Sequence, residues 1–191
     1  MKGCRPLTDI EKNQVLAAMN GRYRLRDRLL VVLGVYAGFR ISEILSLKVK
    51  DVCKNGQFPT HITVQRRNIK NRREGRSVVM HPAIREAAQE YLDANPDLKP
   101  ESPLFVSQKG QARAISRQQA WGILEAAYAA CKLTGTLGTH SLRKTFASSC
   151  YDRSGHCLLR TKKALGHTDI RTTEKYLSFA ESDVEDLIVS A

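Results

Sequence analysis

The stretch RLRDRLLVVLGVYAGF, residues 24 to 39, constrains this chain more than any other. Its apolar run, Leu29 to Phe39, forms the greater part of a mostly apolar helix from about Tyr23 to Ala37, stopped by Gly38. The run is far shorter than the ~20 apolar residues that a membrane span needs. Such a helix has to find its apolar surroundings within the chain, and 191 residues suffice for one compact domain, 1–191, with a real core. The N-terminus, MKGCRPLTDI, lacks the apolar centre of a signal peptide, so the expected location is cytoplasmic.

Local signals place the other elements. Thr8 and Glu11 form a capping box that opens a helix to about Met19, and a short helix follows at Ser42 to Leu47. The period then changes from helical to alternating. His61 to Gln65 and Arg76 to Met80 predict two strands joined by a basic turn containing Gly75. Pro82 suits the first turn of a helix to about Asp93, and a proline-punctuated loop runs from Pro96 to Pro103, with Asn95 to Ser102 the best place for a flexible join. Ser116 and Gln119 make a second capping box before a helix to about Cys131. Helices at Ser141 to Tyr151, Leu158 to Leu165 and Thr172 to Leu177 complete an α+β chain, mainly helical with a small antiparallel sheet.

Charge narrows the partners. Thirty-one Lys and Arg against nineteen Asp and Glu give +12, which favours a polyanion such as nucleic acid over a neutral small molecule, with a membrane surface the weaker reading. Arg66, Arg67, Lys70, Arg72, Arg73 and Arg76 crowd the hairpin, opposed only by Glu74, and read as DNA-binding residues. Arg117 and Gln118, at the start of a helix, are candidates for base contacts and equally suited to a solvated surface. The end of the chain reverses sign: Glu181, Asp183, Glu185 and Asp186 are interleaved with Val184, Leu187, Ile188 and Val189, a pattern suited to a protein surface. Five cysteines with no C-x-x-C spacing fit a reducing compartment, and Cys150, His156 and Cys157 match no common zinc pattern, so no metal site is expected.

Three short stretches carry candidate chemistry. In GFRISEILSL, Arg40 follows a helix stop and could aim its planar fork at a phosphate, with Glu43 holding the side chain. In THSLRKT, His140 and Arg143 share a helix face and could approach one phosphate from neighbouring directions. In LGHTDIRTTEKYLSF, His167 follows a glycine and Tyr176 lies in a polar helix nine residues later. A tyrosine with a pKa of about 10 is ionised roughly once in a thousand at neutral pH, so as a nucleophile it needs a base and nearby cations. His140, Arg40 and Arg143 are of the right kinds. Taken singly, each of these residues also fits a solvated arginine, a helix cap or a structural tyrosine.

Together, Arg40 in G-F-R-I-S-E, Lys70 in the basic hairpin, H-S-L-R at 140 to 143, L-G-H at 165 to 167 and Tyr176 resemble, in order and spacing, the tyrosine recombinases of the phage integrase family. The resemblance runs from about Leu7 to Phe179. It implies the DNA breaking-rejoining catalytic fold, with Tyr176 forming a 3′-phosphotyrosyl link, Arg40 and Arg143 binding the non-bridging oxygens, and Lys70 protonating the leaving 5′-oxygen. His140 would manage the proton of Tyr176 and His167 would hydrogen-bond a phosphate oxygen. No cofactor is implied, neither ATP nor a metal. The implied partners are double-stranded DNA, three further copies in a homotetramer on two sites, and accessory DNA-bending proteins, in a nucleoid-associated setting. The tail, 180–191, resembles the segment that packs on a neighbouring protomer.

Two departures stand out. Lys144 occupies a position where many relatives have histidine. The capping box at Thr8 starts the catalytic domain almost at once, so no N-terminal core-binding domain is expected; this fits a short form resembling the fimbrial phase-variation invertases, or a catalytic domain cut from a longer integrase. The alternatives are a topoisomerase IB-like nicking and closing activity and a catalytically silent, sequence-specific DNA-binding module. The complete set of six candidates weighs against the silent module, since losing one preorganised donor costs ~10²–10³ in rate.

Overall fold

The computed structural model of the chain describes residues 3–65, 75–107 and 110–177. The fold divides into two compact units, the first ending at Phe146 and the second beginning at Ala147. The division falls inside α7 (Thr139–Arg153), while the stretch Asn95 to Ser102, expected as a join, lies within the first unit.

In the first unit α1 (Asp9–Ala17) opens with the capping box of Thr8 and Glu11, and α2 (Arg24–Ala37) follows. From Leu29 onward α2 is apolar and enclosed on nearly all sides: Leu29, Leu30, Val31 and Leu33 are fully buried. Each such side chain contributes about 1.5–3 kcal/mol relative to exposure, so this helix anchors the core. It packs chiefly on α5 (Pro82–Asp93), which buries Ile84, Ala88 and Tyr91. Between them come α3 (Ile41–Ile44), α4 (Val49–Val52), β1 (His61–Val64) and β2 (Arg76–Val79).

The two strands pair antiparallel, with Ile62 opposite Val78 and Val64 opposite Arg76. Alternation sends Ile62 and Val64 into the core, and the register carries Arg76 inward with them. A second antiparallel hairpin, β3 (Val106–Ser107) with β4 (Gly110–Ala114), adds to the single sheet expected from the sequence. Then α6 (Arg117–Ala130) starts at the Ser116 and Gln119 capping box.

The second unit holds the rest of α7, α8 (Leu158–Leu165) and α9 (Ile170–Leu177), with α8 packed on α9. At the end of α8, Gly166 is left-handed and its N–H donates to Lys163 O, while His167 N–H donates to Lys162 O, both at 3.0 Å. Among the described residues, no helix is long and apolar enough to cross a membrane.

Candidate active site

One cluster of candidate residues is built on the C-terminus of α2. Gly38 breaks the helix with φ +58°, and a Cβ at this position would lie 2.2 Å from Phe146 Cδ1. The last carbonyls of a helix have no intrahelical donor and carry partial negative charge, so they attract cations. Here two guanidinium groups supply the donors. Arg76 Nη2 donates to Ala37 O at 2.9 Å and its Nη1 to Gly38 O at 2.8 Å; Arg143, from α7, donates its Nη1 to the same Gly38 carbonyl.

Immediately beyond, Arg40 caps α3 in extended backbone, and the Glu43 carboxylate folds back onto it. Glu43 Oε2 accepts from the Arg40 backbone N–H at 2.8 Å and Oε1 from Arg40 Nη1 at 2.9 Å. Arg76 Nη1 lies 3.5 Å from Oε2. A buried carboxylate is costly unless it is paired and hydrogen-bonded, and Glu43 is 1% exposed. Burial pushes its pKa up, but the hydrogen bonds from Arg40 and the charge of Arg143 outweigh burial and hold it below the ordinary value. The pairing leaves a third of the Arg40 side chain open to solvent, so Arg40 is held firmly without being enclosed.

His140, at the second position of α7, is exposed. Its pKa is lowered first by desolvation and then by the charges of Arg143, Arg40 and Lys144. The shift favours the uncharged imidazole, which is able to accept a proton.

A separate cluster lies in the unit that begins at Ala147. His167 is 7% exposed; its Nδ1 is 3.0 Å from Thr173 Oγ1, and Thr173 is fully buried. The ring of Tyr176 meets that of His167 edge to face, with centroids 5.2 Å apart and 61° between planes. The turn at Gly166 brings the start of α9 back beside His167. That turn explains how residues nine apart in sequence come together.

Residues 6–182 match the family model described as "Phage integrase family". The chain belongs to the phage integrase family. It is 32% identical over 177 residues to the probable integrase/recombinase YoeC of Bacillus subtilis, covering 93% of this chain and 91% of that protein. To the tyrosine recombinase XerD of Corynebacterium glutamicum it is 30% identical over 166 residues, 85% of this chain and 51% of that one. The XerH site-specific recombinase bound to palindromic difH substrate superposes with a TM-score of 0.74 and 26% identity, over 96% of this chain and 52% of that one. The chain thus spans most of YoeC and about half of XerD and XerH. The α+β fold, mainly helical with small antiparallel hairpins, is that of the tyrosine recombinases.

In this integrase the structure gathers Arg40, Glu43 and Arg143 around one helix end and sets His167 beside Tyr176. Lys70, Arg66, Arg67, Arg72 and Arg73, and the tail 180–191, lie outside the described residues. Arg117 and Gln118 are exposed at the start of α6. Arg76 requires a correction. Counted among the DNA-binding residues for its charge, it is 4% exposed and committed to Ala37 O, Gly38 O and Glu43, with its guanidinium 5.0 Å from the centre of the Phe39 ring. The alternation of β2 carries the signal: Arg76 and Val78 share a face. Thr173 was also missed, because its place beside His167 depends on the turn between α8 and α9. Among the described residues, no group of three His, Cys, Asp or Glu side chains could hold a metal ion.

Proposed function

We propose that this integrase is a site-specific recombinase that cuts and rejoins DNA through a 3′-phosphotyrosyl link on Tyr176. The observation that carries the reading is the helix-end platform: Arg40 and Arg143 are fixed by Glu43 and Gly38 O beside a neutral His140. Two guanidinium groups suit the non-bridging oxygens of one phosphodiester, whose charge grows as the phosphorus becomes pentacoordinate. In the reaction the Tyr176 oxygen attacks phosphorus and its proton passes to His140. The bond from phosphorus to the 5′-oxygen breaks, and Lys70 supplies the proton that makes the 5′-hydroxyl.

Thr173 donating to His167 Nδ1 would leave the proton on Nε2, the donor a phosphate oxygen needs. Because the phosphotyrosyl ester conserves the energy of the broken bond, a 5′-hydroxyl from another strand can reverse the attack, and no external energy source is needed. The partner is double-stranded DNA, bound as a homotetramer on two sites with the 180–191 tail on a neighbouring protomer. The setting is the cytoplasm, at the nucleoid, with accessory DNA-bending proteins. Integration, excision and inversion all follow from this one chemistry.

The test is a nicked duplex library, incubated with wild type and Tyr176→Phe in EDTA and stopped with detergent. Wild type is expected to be trapped covalently on a defined site and Tyr176→Phe to give no adduct. Binding of both proteins to one site with neither trapped would make the chain a binding module.

A further inference from the structure

Given the recombinase reading above, we infer that Arg76 is a positioning residue: it fixes the spacing of Arg40 and Arg143 without touching DNA. It shares an acceptor with each of them. Gly38 O takes a hydrogen bond from both Arg76 and Arg143, and Glu43 pairs with both Arg40 and Arg76. The second arm of the Arg76 fork, on Ala37 O, ties the assembly to the preceding residue of α2. The Phe39 ring lies beside the guanidinium, and Val64 stands opposite in the register of β1 and β2.

Stability alone gives little reason for a cation here. Replacing a buried charged network with apolar groups is often neutral or stabilising, and the neighbouring positions Ile62 and Val64 are apolar. A guanidinium does what an apolar side chain cannot: its rigid fork spans two carbonyls and a carboxylate at once. It also adds positive charge beneath the groups that must meet a doubly charged transition state. Catalytic groups have to be held within about 0.5 Å of their productive geometry, and a brace common to both arginines supplies that.

The experiment uses the duplex on which wild type is trapped, prepared with either an ordinary phosphodiester or a methylphosphonate at the scissile position. In the methylphosphonate, a methyl group replaces one non-bridging oxygen and removes the charge that Arg40 and Arg143 neutralise. Arg76→Lys keeps the charge but loses the fork. Phe39→Leu loosens the guanidinium while leaving Arg76 and all its acceptors. Thermal unfolding confirms that each variant is folded; where Arg76→Lys is not, Phe39→Leu carries the comparison.

On the diester, Arg76→Lys is expected to be trapped ~100-fold more slowly than wild type, with a smaller fall for Phe39→Leu. On the methylphosphonate, the gap for Arg76→Lys should close to under about tenfold. The salt slope of DNA binding should not move. An equal gap on both substrates would reduce Arg76 to a structural group and overturn the inference. So would a slope shallower by about one, the mark of a direct phosphate contact. Wild type that forms no adduct on any duplex overturns the recombinase reading itself, an outcome distinct from both.

Discussion

In the proposed reaction His140 must be uncharged to take a proton from Tyr176, and its surroundings favour that form. Desolvation comes first, and three cations, Arg143, Arg40 and Lys144, add to it. The sign has a testable consequence. The His140 ring, followed by NMR, should titrate below the ordinary value of 6.5, and the acid limb of the cleavage rate should fall there too. An acid limb above 6.5 would remove His140 from the proton transfer. Because the folded state takes up this proton less readily than the unfolded chain, the same group contributes stability above pH 6.5 that is lost as pH falls through the lowered value. At this scale the sequence was informative wherever partners are local: Arg40 and Glu43 are three residues apart and their pairing could be read directly. Arg76 could not, because a count of positive charges does not distinguish an arginine facing water from one carried inward by strand register.

At the scale of elements, the end of α2 shows how closely fold and site are joined. Gly38 ends the helix, presents the carbonyl that Arg76 and Arg143 share, and lets the Phe146 side chain approach. Gly38→Ala should therefore fail in two ways. The left-handed backbone costs roughly 1–2 kcal/mol for a residue with a Cβ, and the overlap with Phe146 adds about 1–3 kcal/mol. Chemical denaturation should show the combined loss, and the protein still folded should be trapped on DNA more slowly than wild type because Gly38 O has moved. A variant that lost stability while the folded fraction kept the wild-type rate would separate the platform from the chemistry. The capping boxes at Thr8 and Ser116 and the proline at the start of α5 marked helix starts correctly because those signals are local. The short helix α4 went unread for the opposite reason. Its first amides donate to remote carbonyls, Val49 N–H to Ser102 O and Lys50 N–H to Pro100 O, which nothing within the segment itself announces.

For the whole molecule, net charge overstates the cations available to DNA. Among the described residues, Arg26 and Arg76 are buried and committed within the protein, Arg26 to Asp27 and Val106 O and Arg76 to Ala37 O, Gly38 O and Glu43. Sequence composition pointed to the polyanion but gave no means of subtracting these groups. DNA affinity should still depend steeply on salt: a protein making six to ten phosphate contacts loses ~10³–10⁵ in affinity between 50 and 200 mM salt. Arg117, exposed at the start of α6, tests how the remaining surface is used. Read as a base contact, it predicts that Arg117→Ala narrows the preference for the trapped site over an unrelated duplex by about 1–3 kcal/mol, with little change in the salt slope. As a phosphate contact it would instead weaken both duplexes alike and lower the slope by about one. Affinities measured on both duplexes over a salt series separate the two roles, and affinity flat in salt for wild type would exclude the nucleic-acid partner altogether.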